Sequence, residues 1–206
     1  MYNRGMERRG ICYIICAGER SPLDIAKGED DLVIAADGGA GYLQEVGMVP
    51  DVALGDFDSY GRVPDAREVV RLDPIKDVTD TYAAAELALE RGYSKIDIRC
   101  ALGGRLSHTL ANIQTLAMLS ERGADARITG NGTVITVVKG EATFGEGGYL
   151  SLFPLDGDAV AEITGCKYSG TFRFTHEDSL GVSNEPGRGA RVKMLSGRLL
   201  AIAEER

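Results

Sequence analysis

Up to about residue 130 the apolar positions come in short unbroken runs separated by helical stretches; beyond it they come in short β-rich runs without helical periodicity. The early runs at 11–17, 32–36, 52–54, 68–72 and 95–101 read as strands, the apolar ones as buried members of a parallel sheet. Between them, 40–46 reads as a short helix closed by Gly47, 81–91 as an Ala/Leu/Glu-rich helix ended by Gly92, and 109–122 as an apolar helix. Composition changes near Asn131-Gly132. The later runs at 133–138, 149–153, 159–163, 170–174, 190–195 and 198–203 are divided by Gly, Asp, Asn and Pro, the pattern of a small sandwich or barrel. The expected fold is therefore α/β: an N-terminal three-layer α/β domain with a mainly parallel sheet over 1–130, followed by a C-terminal all-β sandwich domain over 131–206.

Candidate chemistry sits where the early strands end. The run 32–36 stops at Asp37-Gly38-Gly39, and 52–54 stops at Gly55-Asp56-Phe57-Asp58-Ser59. Ligands of open α/β sheets bind at the carboxyl ends of the strands, so Asp37, Asp56 and Asp58 are expected at one crevice. Aspartates at i and i+2 after a glycine suit a divalent cation; the same residues also serve as turn formers. Asp77 or Thr79 is expected to cap the helix at 81–91, with Asp80 in its first turn, either as a dipole partner or as a carboxylate bridged by Mg2+ to a bound anion. Strand 95–101 runs into Leu102-Gly103-Gly104-Arg105-Leu106-Ser107-His108. There the glycines admit a close ligand, Arg105 offers a planar charged fork for phosphate, and Ser107 is expected to cap the next helix.

Charge narrows the partners. Among 206 residues, 31 acidic against 23 basic give a formal charge of −8. Together with the lack of a Lys/Arg cluster, this argues against a nucleic-acid surface and implies that a polyanionic ligand needs metal ions. The apolar run at 11–17 is too short to span a bilayer, so no membrane partner is expected. Cys12, Cys16, Cys100 and Cys166 sit in apolar runs and read as buried thiols of a reducing cytoplasm.

Taken in order, Asp37-Gly38-Gly39, Pro50-Asp51 with Gly55 to Ser59, Lys76-Asp77 with Thr79-Asp80, Gly103-Gly104-Arg105 with His108, Asn112-Ile113 and the run Gly181 to Glu185 resemble the thiamine pyrophosphokinase (thiamine diphosphokinase) family over nearly the whole chain. The resemblance implies an enzyme that transfers the terminal pyrophosphoryl group of ATP to the hydroxyl of thiamine, releasing AMP, with Mg2+ and as a cytoplasmic homodimer. It assigns metal binding and catalysis to Asp56, Asp58 and Asp80, with Arg105 acting on the phosphates. Asp37, Gly38, Lys76, Asp77, Gly104 and Ser107 fall on the nucleotide side, and Ser183 and Asn184 on the thiamine side. Ser107 stands where the family usually carries an acidic residue, so the phosphate loop is expected to survive while one negative charge is lost. Two other readings use the same aspartates: a pyrophosphokinase for another small alcohol such as a hydroxymethylpterin, and a non-catalytic ligand-binding relative.

Overall fold

A computed structural model describes residues 8–57, 63–73 and 77–206, which form two compact units, 1–131 and 132–206. In the first unit, strands β1 (Arg8–Ile15), β2 (Leu32–Ala36), β3 (Val52–Gly55), β4 (Glu68–Arg71), β5 (Tyr93–Arg99) and β6 (Asp125–Gly130) are interleaved with helices α1 (Gly39–Glu45), α2 (Asp80–Glu90) and α3 (Leu106–Glu121). The strand order there is β4-β3-β2-β1-β5-β6, with every neighbouring pair parallel. The chain thus steps outward from β1 to β4 and then returns to lay β5 on the opposite side of β1. Connections on the two sides of that reversal leave in opposite directions and open a crevice beyond the carboxyl ends of β1 and β5.

Alternation along the strands decides what each face buries. Tyr13, Ile15, Val33 and Ala35 pack with Ala40 and Leu43 of α1. Cys16, one residue past β1, meets Thr81 of α2, its Sγ 3.3 Å from the Thr81 Oγ1. Helix α2 packs on β1, β2, β3 and β5 through Ala84, Ala85 and Ala88, side chains small enough to let its backbone lie close to the sheet. Its N-cap is Thr79, whose Oγ1 accepts from the Tyr82 N–H at 3.2 Å, so of the two capping candidates the threonine fills the role.

The second unit is all β: β7 (Thr133–Val138), β8 (Glu141–Phe144), β9 (Tyr149–Pro154), β10 (Ala159–Cys166), β11 (Gly170–Phe174), β12 (Pro186–Ser196) and β13 (Leu199–Glu204). β13 pairs antiparallel with β7 and β9, while β11-β10-β12-β8 form a separate antiparallel sheet. Val138, Leu150, Leu152, Leu199 and Ala201 from the first group share one buried cluster with Ala161, Ile163, Phe174 and Val192 from the second. Each large member contributes about 1.5–3 kcal/mol by leaving water. The chain as a whole is mixed α/β, with a mainly parallel sheet and a separate antiparallel one. No helix among the described residues is long and apolar enough to cross a membrane.

Two strands escape the apolar pattern. β6 carries Asp125 and Arg127 among its residues, and β8 is four residues long between Gly140 and Gly145. Helix α3 also begins earlier than expected, at Leu106 instead of 109, with Arg105 as an N-cap that makes no side-chain cap bond. Ser107 is therefore inside the first turn and does not cap. Gly103 and Gly104, at φ +72° and +63°, already turn the chain out of β5, so the helix starts directly after them.

Candidate active site

A cavity of about 610 Å3 opens at the reversal point, and its walls come from the ends of the strands. Cys16, Ala17 and Gly18 follow β1, while Ala36 ends β2 and Asp37 and Gly38 follow it. Asp56 follows β3, Thr79 to Thr81 start α2, and Gly103, Gly104, Arg105, His108 and Asn112 join β5 to α3. Of the residues singled out in the sequence, Asp37, Gly38, Asp56, Asp80, Gly104 and Arg105 are brought together here. Asp77 and Ser107 are exposed and outside the cavity lining, and Asp58 and Lys76 lie outside the described residues.

Backbone strain collects at the same edge. Asp37, Phe57 and Cys100 adopt φ of +47°, +62° and +52°, each within two residues of the end of β2, β3 or β5. A left-handed non-glycine residue costs about 1–2 kcal/mol. Such positions persist only where the surrounding structure over-determines them, and they cluster at functional sites. The Asp37 N–H donates to the Leu54 carbonyl at 2.8 Å, which holds its turn against the end of β3. That bond brings the Asp37 and Asp56 turns onto adjacent strand ends.

The loops after β1 and β5 are laced together. The Gly18 N–H donates to the Cys100 carbonyl at 2.8 Å and the Glu19 N–H to the Leu102 carbonyl at 2.7 Å. Asn112 Nδ2 donates to the Ala101 carbonyl at 2.7 Å, and Thr109 Oγ1 to the Gly103 carbonyl at 3.3 Å. From the other side the Tyr42 hydroxyl of α1 donates to the Gly18 carbonyl at 2.8 Å. Arg105 hydrogen-bonds His108 across the first turn of α3.

The ionisable groups lining the cavity are the carboxylates Asp37, Asp56 and Asp80, with Arg105, His108 and the Cys16 thiol. Burial pushes the Cys16 thiol up to about 12, against a smaller opposing effect of its Thr81 contact. A protonated thiol is neither a good nucleophile nor a soft-metal ligand. Iodoacetamide at pH 8 should therefore leave ligand binding and turnover unchanged, and rapid alkylation with loss of either would show a reactive thiol. Because the folded state holds this proton more tightly than the unfolded one, its contribution to stability is complete below the ordinary thiol range. It is lost as pH rises from about 8.5 towards 12.

Among the described residues no three His, Cys, Asp or Glu side chains are grouped to enclose a metal ion. Mg2+ does not need such a cage. It takes one or two carboxylates, keeps several waters and shares phosphate oxygens with its substrate. Asp56 and Asp80 on an open cavity, with Asp37 beside them, fit that demand.

Ser183 and Asn184 belong to the second unit. Asn184 is buried, its Nδ2 donating to the Tyr168 carbonyl at 2.9 Å and its Oδ1 accepting from the Tyr168 and Glu185 N–H groups at 3.0 and 2.9 Å. Its side chain thus holds the loop together. Ser183, at φ +56°, is exposed and anchored by its own N–H to Ser151 Oγ at 3.1 Å. Asn112, noted in the sequence only within the Asn112-Ile113 pair of the family resemblance and given no role there, is a further residue the structure brings to the cavity. Its signal was available: a polar side chain in register with Leu116 and Leu119 on the buried stripe of α3.

Fold and cavity together define a parallel α/β protein with an acidic, glycine-walled crevice at its strand reversal. Residues 26–128, half of the chain, match the family model described as thiamin pyrophosphokinase, catalytic domain, and the chain belongs to that family. It is 34% identical over 113 residues to a thiamine pyrophosphokinase of Bacillus subtilis (strain 168), an alignment covering 50% of this chain and 52% of that relative. The match thus spans about half the length of each. The crystal structure of thiamine pyrophosphokinase from Bacillus subtilis superposes with a TM-score of 0.84 at 27% identity, covering 96% of this chain and 100% of that one. That of thiamin pyrophosphokinase from Geobacillus thermodenitrificans gives 0.82 at 28% identity, covering 95% and 98%.

Proposed function

We propose that this chain is an ATP:thiamine diphosphotransferase, moving the pyrophosphoryl group of ATP to the hydroxyl of thiamine and releasing AMP. The observation that carries this is the convergence of Asp37, Asp56 and Asp80 with Gly103-Gly104-Arg105 in one cavity of a chain from this family. In the reaction the hydroxyl oxygen forms a bond to the β-phosphorus. The bond from that phosphorus to the α,β-bridging oxygen breaks, and the oxygen leaves with AMP. Little covalent work falls to the protein, which positions the reactants and neutralises charge. Mg2+, when bound, would supply positive charge that offsets the negative charge gathering on phosphate oxygens in the transition state. Asp56, Asp58 and Asp80 are the residues proposed to hold it. Arg105 binds phosphate oxygens through its planar fork. Asp37, Gly38, Lys76, Asp77, Gly104 and Ser107 complete the nucleotide side, and the cavity carboxylates are the available acceptors for the hydroxyl proton.

The same proposal assigns the catalytic domain to 1–130 and thiamine binding to a β-sandwich domain at 131–206. There the loop bearing Ser183 and Asn184 receives the acceptor, in a cytoplasmic homodimer. Asn184 serves this loop by shaping it, since its amide is already engaged. Incubation of the pure protein with ATP and Mg2+ plus thiamine or a hydroxymethylpterin decides among the readings. Thiamine-dependent AMP release is expected, release only with the pterin would reassign the acceptor, and release with neither would sink the transferase.

A further inference from the structure

The loop leaving β5 has four consecutive carbonyls, and each has a fixed partner. Cys100 and Leu102 give theirs to the Gly18 and Glu19 N–H groups, while Ala101 and Gly103 give theirs to Asn112 and Thr109 on α3. Backbone donors and side-chain donors thus alternate along the loop. In a trans peptide the carbonyl and the following N–H point in opposite directions. Holding the Ala101 and Gly103 carbonyls towards α3 therefore turns the Leu102 and Gly104 N–H groups away from it. Asn112 is 6% exposed, and its bond is the shorter of the two from α3. Gly104 stands at φ +63° with nothing within 4 Å of where a Cβ would project, so ligand atoms have free approach to its backbone.

We infer that Asn112 is a positioning residue for nucleotide binding: it pins the Ala101 carbonyl to α3, so that the loop offers N–H groups rather than carbonyl oxygens to polyphosphate. A carbonyl released from this bond can rotate towards the anion, where its dipole repels, and the N–H turns away with it. The inference rests on the nucleotide-binding part of the function proposed above, and its test is independent of turnover.

The probe is the α,β-methylene analogue of ATP with Mg2+, titrated calorimetrically without thiamine into wild type, Asn112→Asp, Asn112→Ala, Thr109→Val and Leu116→Ala. Asn112→Asp keeps the side-chain volume and removes the donor. Leu116, fully buried one turn further along α3, reports a purely structural lesion of the helix. Expected results are a Kd raised at least about tenfold in both Asn112 variants and about threefold in Thr109→Val, the longer and weaker bond. Leu116→Ala should lower the melting temperature at wild-type Kd. In steady state, Asn112→Asp should raise the KM for ATP and leave the KM for thiamine unchanged. A wild-type Kd in both Asn112 variants, or an equal rise in Leu116→Ala, overturns the inference. Wild-type protein that binds the analogue but releases no AMP with thiamine refutes the transferase alone, whereas wild-type protein that binds no analogue refutes both.

Discussion

Asp56→Asn is expected to lower kcat/KM by about 100-fold or more, equivalent to ~2.7 kcal/mol of lost transition-state stabilisation, at an unchanged melting temperature. Asparagine keeps the shape of the side chain and loses the charge that attracts a hard cation. Asp56 lines the cavity just beyond β3 and is only partly buried, so the isosteric change disturbs no core packing. Asp80→Asn divides differently, because Asp80 is also the acidic residue in the first turn of α2, where a negative charge offsets the helix dipole. Some loss of thermal stability should accompany its loss of activity. Steady-state kinetics across a Mg2+ titration, beside thermal melts, reads both effects. Near wild-type turnover in Asp56→Asn would remove the metal role.

The second large effect concerns stability. Gly39→Ala should destabilise the protein by about 3 kcal/mol, seen as a lower urea midpoint at constant m. A Cβ built on Gly39 falls 2.0 Å from the Ile15 carbonyl oxygen and 2.6 Å from its carbon, both backbone atoms at the end of β1. Neither can rotate away, so α1 must lift from the strand. That movement reaches the cavity, because Cys16, Ala17 and Gly18 follow Ile15 directly and the Tyr42 hydroxyl ties α1 to the Gly18 carbonyl. A midpoint equal to wild type would mean that this contact yields more easily than its geometry implies.

Much of this molecule is legible in its chain because strands such as β2 and β3 are buried along their whole length and read as unbroken apolar runs. The expected bounds of β2, β7 and β11 coincide with those observed. Sequence patterning fails where burial is partial or an element is short, as in β6 and β8. It misjudges the start of α3 for a different reason: a serine before an apolar run is a common cap, but the glycine pair had already made the turn. Six of the singled-out site residues meet in one cavity because aspartates and glycines after strands are visible as interruptions. Asn112 left a fainter trace, since its role depends on a carbonyl eleven residues earlier. Ser183 and Asn184 show the converse, a dipeptide that stands out in sequence while one member is spent on the loop's own backbone.

The lacing of the loop after β5 bears on which parts of the chain can change length. Four successive carbonyls are matched to two residues of the loop after β1 and two side chains of α3, so inserting or deleting one residue between Cys100 and Gly103 shifts every later partner by one place. Grafted tags, circular permutation points and inserted domains should therefore fail in this connection and in the one at Gly18-Glu19. The exposed pair Gly145-Glu146 in the second unit, between β8 and β9, where a Cβ on Gly145 would meet nothing within 4 Å, is the better place to splice new sequence into this scaffold.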